Sequence, residues 1–437
     1  MIVSGTTLDL GSQQDPTTAI AMINTTSSSA DTQPMALAGL KVLELGQLIA
    51  GPFATKLLGE FGADVIKIEP PGTGDPLRRW RVMDGDTSLW WQVQSRNKRS
   101  LSLDLKSGEG QDIVRRLAAE ADIVVENFSP GRLEKWGLGW EDLAALNPQL
   151  IMVRISGYGQ TGPYRDRPGF GVIGEAMGGL RYLSGAPGES SVRVGISIGD
   201  SLSALYGVIG ALLALQERSQ SGKGQYIDVA LYESVFGMME SLIPEYDGAG
   251  MIREPGGSAL PGITPSNAYR CIDGREVLIA GNGDSIYKRL MQVIGRDDLG
   301  EDPDLAHNDG RSAQAARIDA AINSWTRQHE RADILATLED ARVPAGYPYT
   351  AQDIVADPHY AAREMIQTIT TPGGRELKVP AVLPKLSRTP GRIGSGGPRL
   401  GAHTRAVLDE LGIDRDTQAE LLARGVLHEA DHDEANS

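Results

Sequence analysis

Asp200 stands where an apolar run, Val194-Gly195-Ile196-Ser197-Ile198-Gly199, gives way to a long apolar stretch from Ala204 to Leu215. A carboxylate at such a junction has two uses. It can cap a helix, where backbone N–H groups and the helix dipole favour it. It can also attack an activated acyl group as a nucleophile. Spacing alone favours the cap. Few other groups in this half of the chain could do such chemistry, because all six histidines, from His307 to His432, lie beyond residue 306. Cys271 is the single cysteine. With no histidine close in sequence it reads as an inert thiol rather than a nucleophile. One cysteine also means no disulfide framework and no Cys-x-x-Cys metal site, which fits a reducing cytoplasm.

Two further patterns bear on ligands. Gly157-Tyr158-Gly159-Gln160-Thr161-Gly162 has the letters of the dinucleotide fingerprint and follows a predicted strand. That fingerprint must open a helix facing the pyrophosphate. Here Pro163 and Pro168 follow instead, which argues against a nicotinamide or flavin site. The stretch reads as a glycine loop that lets the backbone bend or approach a ligand. Lys98-Arg99, Lys106 and Lys135 fall near predicted strand ends and loops. They suit a phosphorylated ligand, or they are scattered surface cations; spacing does not choose. Phe128 ends a predicted strand, where it could stack on a base or pack into the core.

Positioning these groups requires a frame. Residues 40–45 read as a strand, and Pro52 suits the first turn of a helix running to residue 58. Residues 64–69 form the next strand, stopped by Pro70-Pro71. A helix over 109–120, a strand over 123–125, a short helix over 141–146 and a strand over 150–155 follow. From residue 195 the pattern predicts a strand, a helix over 201–217, a Gly-rich turn, a strand over 226–229 and a second helix to about residue 242. Strands alternating with helices at this spacing imply βαβ units. The fold class is therefore α/β, with a Rossmann-like large domain on a parallel sheet and a smaller α+β domain.

The expected organisation is a disordered tail over 1–36, a large domain over 37–244 and a linker or glycine loop over 245–266. A small domain over 267–345, a segment over 346–426 returning to the large domain and ending in a helical stretch over 404–424, and a solvated acidic tail over 427–437 complete it. Residues 1–34 are expected to be dispensable. With 437 residues, two or more domains are the natural reading. A formal charge of -15 argues against a broad nucleic-acid surface. The Ala204–Leu215 stretch is too short to span a bilayer. The first 40 residues contain no Lys or Arg, which argues against a signal or transit peptide. A cytoplasmic protein with no nucleic-acid or membrane partner is expected.

Residues 37 to about 426 resemble the class III CoA-transferases. The resemblance is carried by Leu45 to Pro52, Gly62-Ala63-Asp64-Val65-Ile66-Lys67-Ile68-Glu69, Asn97-Lys98-Arg99-Ser100 and Val125-Glu126-Asn127-Phe128. Pro130-Gly131 to Gly137, the glycine loop 157–162 with Pro163, Gly222-Lys223-Gly224-Gln225 and Leu400-Gly401-Ala402-His403-Thr404 complete the set. Each piece is short, but their order and spacing together are specific.

The resemblance implies that Asp200 is the nucleophile of a two-step exchange through a mixed anhydride and an aspartyl-CoA thioester. It implies CoA contacts at Ile49, Ala50, Leu103, Lys106, Asn127, Phe128 and Lys135, with the two lysines meeting phosphates. Coenzyme A is then part of the substrate, and no metal or permanently bound cofactor is needed. The partners implied are an acyl-CoA donor, closest in pattern to succinyl-CoA, a carboxylate acceptor such as a dicarboxylate, and a second copy of the chain in an interlocked homodimer. Gly256-Gly257 resembles, more loosely, a glycine loop that shields the intermediates. Arg78, Arg79 and Arg193 could pair with a second carboxylate of the acceptor, or they are structural arginines.

There are departures. Some members carry Gln where this chain has Ile49, so oxyanion stabilisation must come from backbone N–H groups or elsewhere. Some have an acid near Gly171. Racemases of the same superfamily use a Gly-His-Asp stretch as base, but Gly169-Phe170-Gly171 supplies neither residue. A CoA-binding protein without turnover is the reading from another class, and the retained Asp200 counts against it.

Overall fold

The computed structural model describes residues 34–430, so the expected N-terminal tail falls almost wholly outside the described residues. The body is a seven-stranded sheet of β1 (Lys41–Glu44), β2 (Asp64–Glu69), β3 (Lys98–Leu103), β4 (Ile123–Glu126), β5 (Ile151–Ser156), β6 (Gln225–Ala230) and β7 (Leu427–His428). Their order is β7-β3-β2-β1-β4-β5-β6. Every pairing is parallel except β7 with β3. The helices that matter here are α1 (Ala50–Glu60), α2 (Gly108–Glu120), α3 (Gly171–Met177), α4 (Ile198–Ser221) and α5 (Leu231–Phe236).

Strand residues alternate between two cores, as a pleated sheet covered on both faces requires. Val42, Ile123, Ile151 and Val153 pack under α1 and α4, against Ala54, Leu58, Ala204 and Ala211. Leu43, Val124 and Met152 face the other way, toward Ile113, Val114 and Leu117 of α2. Val407, Leu408 and Leu427 join that second core from the far C-terminus. A separate core forms on a three-stranded antiparallel sheet of Ser266–Arg270, Glu276–Ala280 and Ala345–Gly346, where Cys271 is buried.

The chain order places the ligand crevice. From β1 the sheet grows one way through β2 and β3, and the other way through β4, β5 and β6. The direction switches between the C-terminal ends of β1 and β4, where open α/β sheets bind ligands.

Several elements differ from expectation. No strand forms before α4. Val192, Val194 and Ile196 alternate like a strand but are each about half exposed, and β5 already pairs with β4 and β6. β3 was not expected, because Lys98, Arg99, Ser100 and Ser102 hide its apolar residues. The helix after β6 stops at Phe236, and another, Leu242–Ala249, occupies part of the supposed linker. The 404–424 stretch is two helices, Thr404–Glu410 and Arg415–Ala423, parted at Gly412 with its φ of 68°. Leu427 is buried and pairs with Leu103, so the solvated tail cannot begin at residue 427.

Helix α4 is 24 residues long, with a mean hydropathy of 1.7, long and apolar enough to cross a membrane by length and composition. Its setting decides otherwise. It connects the parallel neighbours β5 and β6 and packs on both, as the crossover of a βαβ unit does. Only a third of its most apolar stretch is buried, and Leu205, Ile209, Leu212 and Leu213 stay exposed on its outer side.

A buried ionic network ties the switch point together. Lys67 Nζ lies 2.7 Å from Glu44 Oε1, 2.9 Å from Asp75 Oδ2 and 2.9 Å from the Gly46 carbonyl, to which it donates. Lys98 Nζ reaches the other oxygen of Glu44 at 2.8 Å and donates to the Pro52 carbonyl. Burial opposes charge on Lys67, but Asp75, Glu44 and Glu69 outweigh it and hold its pKa above the usual lysine value. Lys98 is pushed down to about 8, by burial first and then by the neighbouring Lys67. Removing one partner of such a network strands the others in the core. Lys67→Met is therefore expected to cost about 3–5 kcal/mol, read from the urea midpoint. A loss below about 1 kcal/mol would show that the network is not what holds these loops.

Candidate active site

A cavity of about 540 Å³ opens at the switch point. Its floor is the loop from β1 into α1. Asn127, just past β4, clamps that loop: its Oδ1 accepts from Gln47 N–H at 2.8 Å and its Nδ2 donates to the Gln47 carbonyl at 2.9 Å. Gly46 permits the approach, since a Cβ there would lie 2.8 Å from Asn127 Oδ1. Leu48 takes a left-handed φ of 64°, and Asp75 accepts its N–H at 3.1 Å. The side chain of Gln94 donates to the Ile49 carbonyl at 2.9 Å. Ile49 and Ala50 are thereby held at the cavity wall, with Phe128 half-buried opposite, edge-on to Trp136.

Asp200 lines the same cavity. It is neither at a strand end nor at the cap. Ser197 holds the cap position and makes no side-chain cap bond; Asp200 is the third residue of α4. The helix dipole favours its charge there, but burial opposes it and Glu175 adds a like charge. Together they raise the carboxyl to about 6, against the pull of Arg193. The carboxylate rests directly on the backbone of α3, where a Cβ at Gly171 would lie 2.2 Å from Asp200 Oδ2. Such a group is mostly ionised at neutral pH, poorly hydrated and more basic than a free aspartate, as an oxygen nucleophile requires.

Of the expected site residues, Ile49, Ala50, Asn127, Phe128 and Asp200 share this cavity. Leu103, Lys106 and Lys135 do not line it. Leu103 is fully buried at the end of β3, Lys106 is exposed in the turn after it, and Lys135 is exposed at the end of the short helix Arg132–Lys135.

Other basic residues are already engaged. Lys98 belongs to the buried network, and Arg99 pairs with Asp64 and Glu410. Arg78 is buried, pairs with Glu69 at 2.7 Å and stacks 3.7 Å above Trp91, so it is structural and unavailable to a substrate carboxylate. Arg79 lines a different cavity, and only Arg193 of the three arginines faces Asp200. Gly256-Gly257 also line a separate cavity, held by Gly257 N–H donating to the Gly185 carbonyl at 3.0 Å.

Sequence reading missed Gln47 and Arg167 in the cavity wall, and Glu175 behind it. Gln47 carried a usable signal, being an amide within the matched Leu45 to Pro52 motif. The 157–162 loop behaves as read. No helix opens directly from it, the next one being α3 from Gly171, and Gly157 packs against Gly169, where a Cβ would lie 2.9 Å from the Gly169 Cα.

Known proteins resemble the chain in sequence and in overall fold. Residues 37–404 match the model for CoA-transferase family III. The chain is 48% identical over 401 residues to succinyl-CoA–D-citramalate CoA-transferase of Chloroflexus aurantiacus, covering 91% of this chain and all of that one. It is 44% identical to the beta subunit of succinyl-CoA–L-malate CoA-transferase from the same organism, covering 87% of this chain and 95% of the relative. The crystal structure of a CAIB/BAIF family protein from Brucella suis superposes with a TM-score of 0.76 at 36% identity, covering 87% of this chain and all of that one. The sheet, the switch-point cavity and these likenesses over nearly the whole chain lead to one conclusion: the protein belongs to CoA-transferase family III and is a CoA-transferase.

Proposed function

We propose that the protein moves CoA from succinyl-CoA to a dicarboxylate or hydroxy-diacid through an aspartyl-CoA thioester on Asp200. The observation that carries the reading is the placement of Asp200. It is a half-buried carboxylate of raised basicity in the cavity that also holds Ile49, Ala50, Asn127 and Phe128. The names of the two Chloroflexus relatives support succinyl-CoA as donor and a hydroxy-diacid as acceptor.

The steps balance without a proton or a redox change. An oxygen of Asp200 attacks the donor carbonyl, the C–S bond breaks, and CoA leaves as thiolate from a mixed anhydride. The thiolate attacks the aspartyl carbonyl and releases the donor acid as carboxylate. The acceptor carboxylate then attacks the aspartyl thioester, giving a second anhydride and thiolate. Thiolate attack on the acceptor carbonyl forms the new thioester and frees Asp200. Ile49 has no side-chain donor, and the N–H groups of Gln47 and Leu48 already donate to Asn127 and Asp75, so the backbone N–H groups of Ile49 and Ala50 are the proposed oxyanion partners. Lys106 and Lys135, exposed and outside the cavity, are the proposed phosphate contacts, with Leu103 ending the strand that leads to Lys106.

Arg193 is the proposed partner of the acceptor's distal carboxylate, since it lines the cavity and is half exposed. A second copy of the chain is the proposed cover for the outer face of α4. A panel of acyl-CoA donors and free acids, followed by the appearance of new thioesters, tests the substrates. Arg193→Gln is expected to raise KM for dicarboxylate acceptors about 10–100-fold with KM for monocarboxylates unchanged, as loss of a charged hydrogen bond implies. The acid limb of both should move to higher pH, because Arg193 no longer favours the Asp200 carboxylate. A dicarboxylate KM within about twofold of wild type would remove Arg193 from this role.

A further inference from the structure

We infer that Glu175 is the charge that keeps Asp200 reactive, acting as a positioning residue from behind the cavity wall. The inference rests on Asp200 being the nucleophile.

Glu175 and Gly171 stand four residues apart on α3, one turn and about 6 Å along its axis. Helical side chains lean toward the helix N-terminus. Glu175 therefore leans back toward the ledge at Gly171 on which the Asp200 carboxylate rests. Its Cγ also packs against the first turn of α4, where a Cβ on Gly199 would lie 3.4 Å from it. Two helices thus bring the two carboxyl groups together, through Gly171 on one and Gly199 on the other.

Glu175 is fully buried, yet neither of its carboxyl oxygens has a hydrogen-bond partner. The nearest cations stand back, Arg193 Nη2 at 3.7 Å and Arg181 Nη1 at 4.0 Å. A buried carboxylate left without hydrogen bonds costs stability, and ion pairs at this distance do little to offset it. Nothing in the packing of α3 calls for an acid here. The effect that remains is on Asp200, whose neighbouring charges are Glu175 from α3 and Arg193 from the loop before α4; Arg81 and Arg167 line the same cavity.

A like charge raises the energy of the free Asp200 carboxylate. Once Asp200 is acylated its charge is gone, and the repulsion goes with it. Glu175 thereby favours attack on the thioester over the resting state, consistent with the raised basicity of Asp200. Arg193 opposes this effect, which leaves Asp200 ionised at neutral pH.

The test uses the full-length chain with Glu175→Gln, Glu175→Met and Glu175→Asp. Replacing a buried, poorly paired charge by a neutral side chain of similar volume is commonly neutral or stabilising, so the first two are expected to fold with a Tm no lower than wild type. In both, the acid limb of kcat/KM should move to lower pH by about one pH unit and the plateau should fall about tenfold. Glu175→Asp should keep the wild-type limb. Folded Gln and Met variants with an unmoved limb would overturn the inference. So would failure of both to fold, which would assign Glu175 to stability instead. Asp200→Asn measured alongside separates the two levels: if it retains exchange, the nucleophile reading fails; if it is inactive while the Glu175 variants match wild type, only this inference fails.

Discussion

Replacing Asp200 with Asn is expected to slow CoA exchange by on the order of 10⁴-fold or more while leaving the protein folded. The amide keeps the shape of the carboxylate but cannot form the anhydride, so what survives is binding and positioning alone. The fold should tolerate the change, because the carboxylate is desolvated and repelled by Glu175 in the resting state. The variant's Tm should equal or exceed that of the wild type. The pH profile offers a second readout on the unmodified enzyme. The attacking form is the carboxylate, and its pKa lies at about 6. Activity should therefore be present above that value and fall as pH drops through it. Mass spectrometry after donor alone should find acyl or CoA mass on the Asp200 peptide of wild type and none on that of Asp200→Asn. Exchange that persists in the variant, or turnover that never leaves an adduct, would overturn the covalent route.

How much of this could be read from the sequence depended on what each segment buries. β1, β2, β4 and β5 were legible because each sends Val, Ile, Leu or Met into both apolar cores, as Val65 and Ile68 of β2 do even beside the buried Lys67. β3 was hidden because its first residue, Lys98, is buried by pairing with Glu44 rather than by apolar packing. An ionic partner on a strand leaves no periodic trace. The stretch before α4 misled in the opposite sense: Val192, Val194 and Ile196 alternate, yet they pair with no strand and each stays about half exposed, with no core on either side.

The site divided along similar lines. Asn127, Phe128, Ile49 and Ala50 were found through motifs that follow β1 and β4, and the switch in sheet order explains why those two loops meet. Spacing placed Asp200 at the right junction but favoured a cap, and only the family resemblance made it the expected nucleophile. The geometry gives the cap position to Ser197 and turns Asp200 inward. Glu175 carried no signal, since a Glu four residues beyond a glycine is ordinary. Only the fold shows that it is buried without hydrogen bonds beside the first turn of α4. Arg78 shows the reverse case, a charge that the sequence left open between substrate and structure and that Glu69 already uses.

Gly171→Ala is expected to lower kcat about 100-fold without weakening the fold, because a displacement of about 1 Å at a reacting group costs on that order. The new Cβ would sit 2.2 Å from Asp200 Oδ2 and 2.8 Å from its Cγ, closer than any real contact. One of the two must yield. The α3 backbone is held by its packing against α4 and α5, so the freer partner is the Asp200 side chain. Gly171 opens α3 and does not need a left-handed φ, so alanine brings no backbone strain and gains up to about 1 kcal/mol of helix propensity. Ile49, Ala50, Asn127 and Phe128 are untouched, so KM for the acyl-CoA donor should stay within about threefold of wild type, as an effect on the transition state alone implies. The adduct on Asp200 should form correspondingly slowly. Gly248→Ala is the control: it is another helical glycine, and its Cβ would meet nothing within 4 Å. That variant should match wild type in rate. A fully active Gly171→Ala would mean that the reacting carboxylate does not rest on this ledge during turnover, and both the placement of Asp200 and the influence of Glu175 through α3 would have to be given up together.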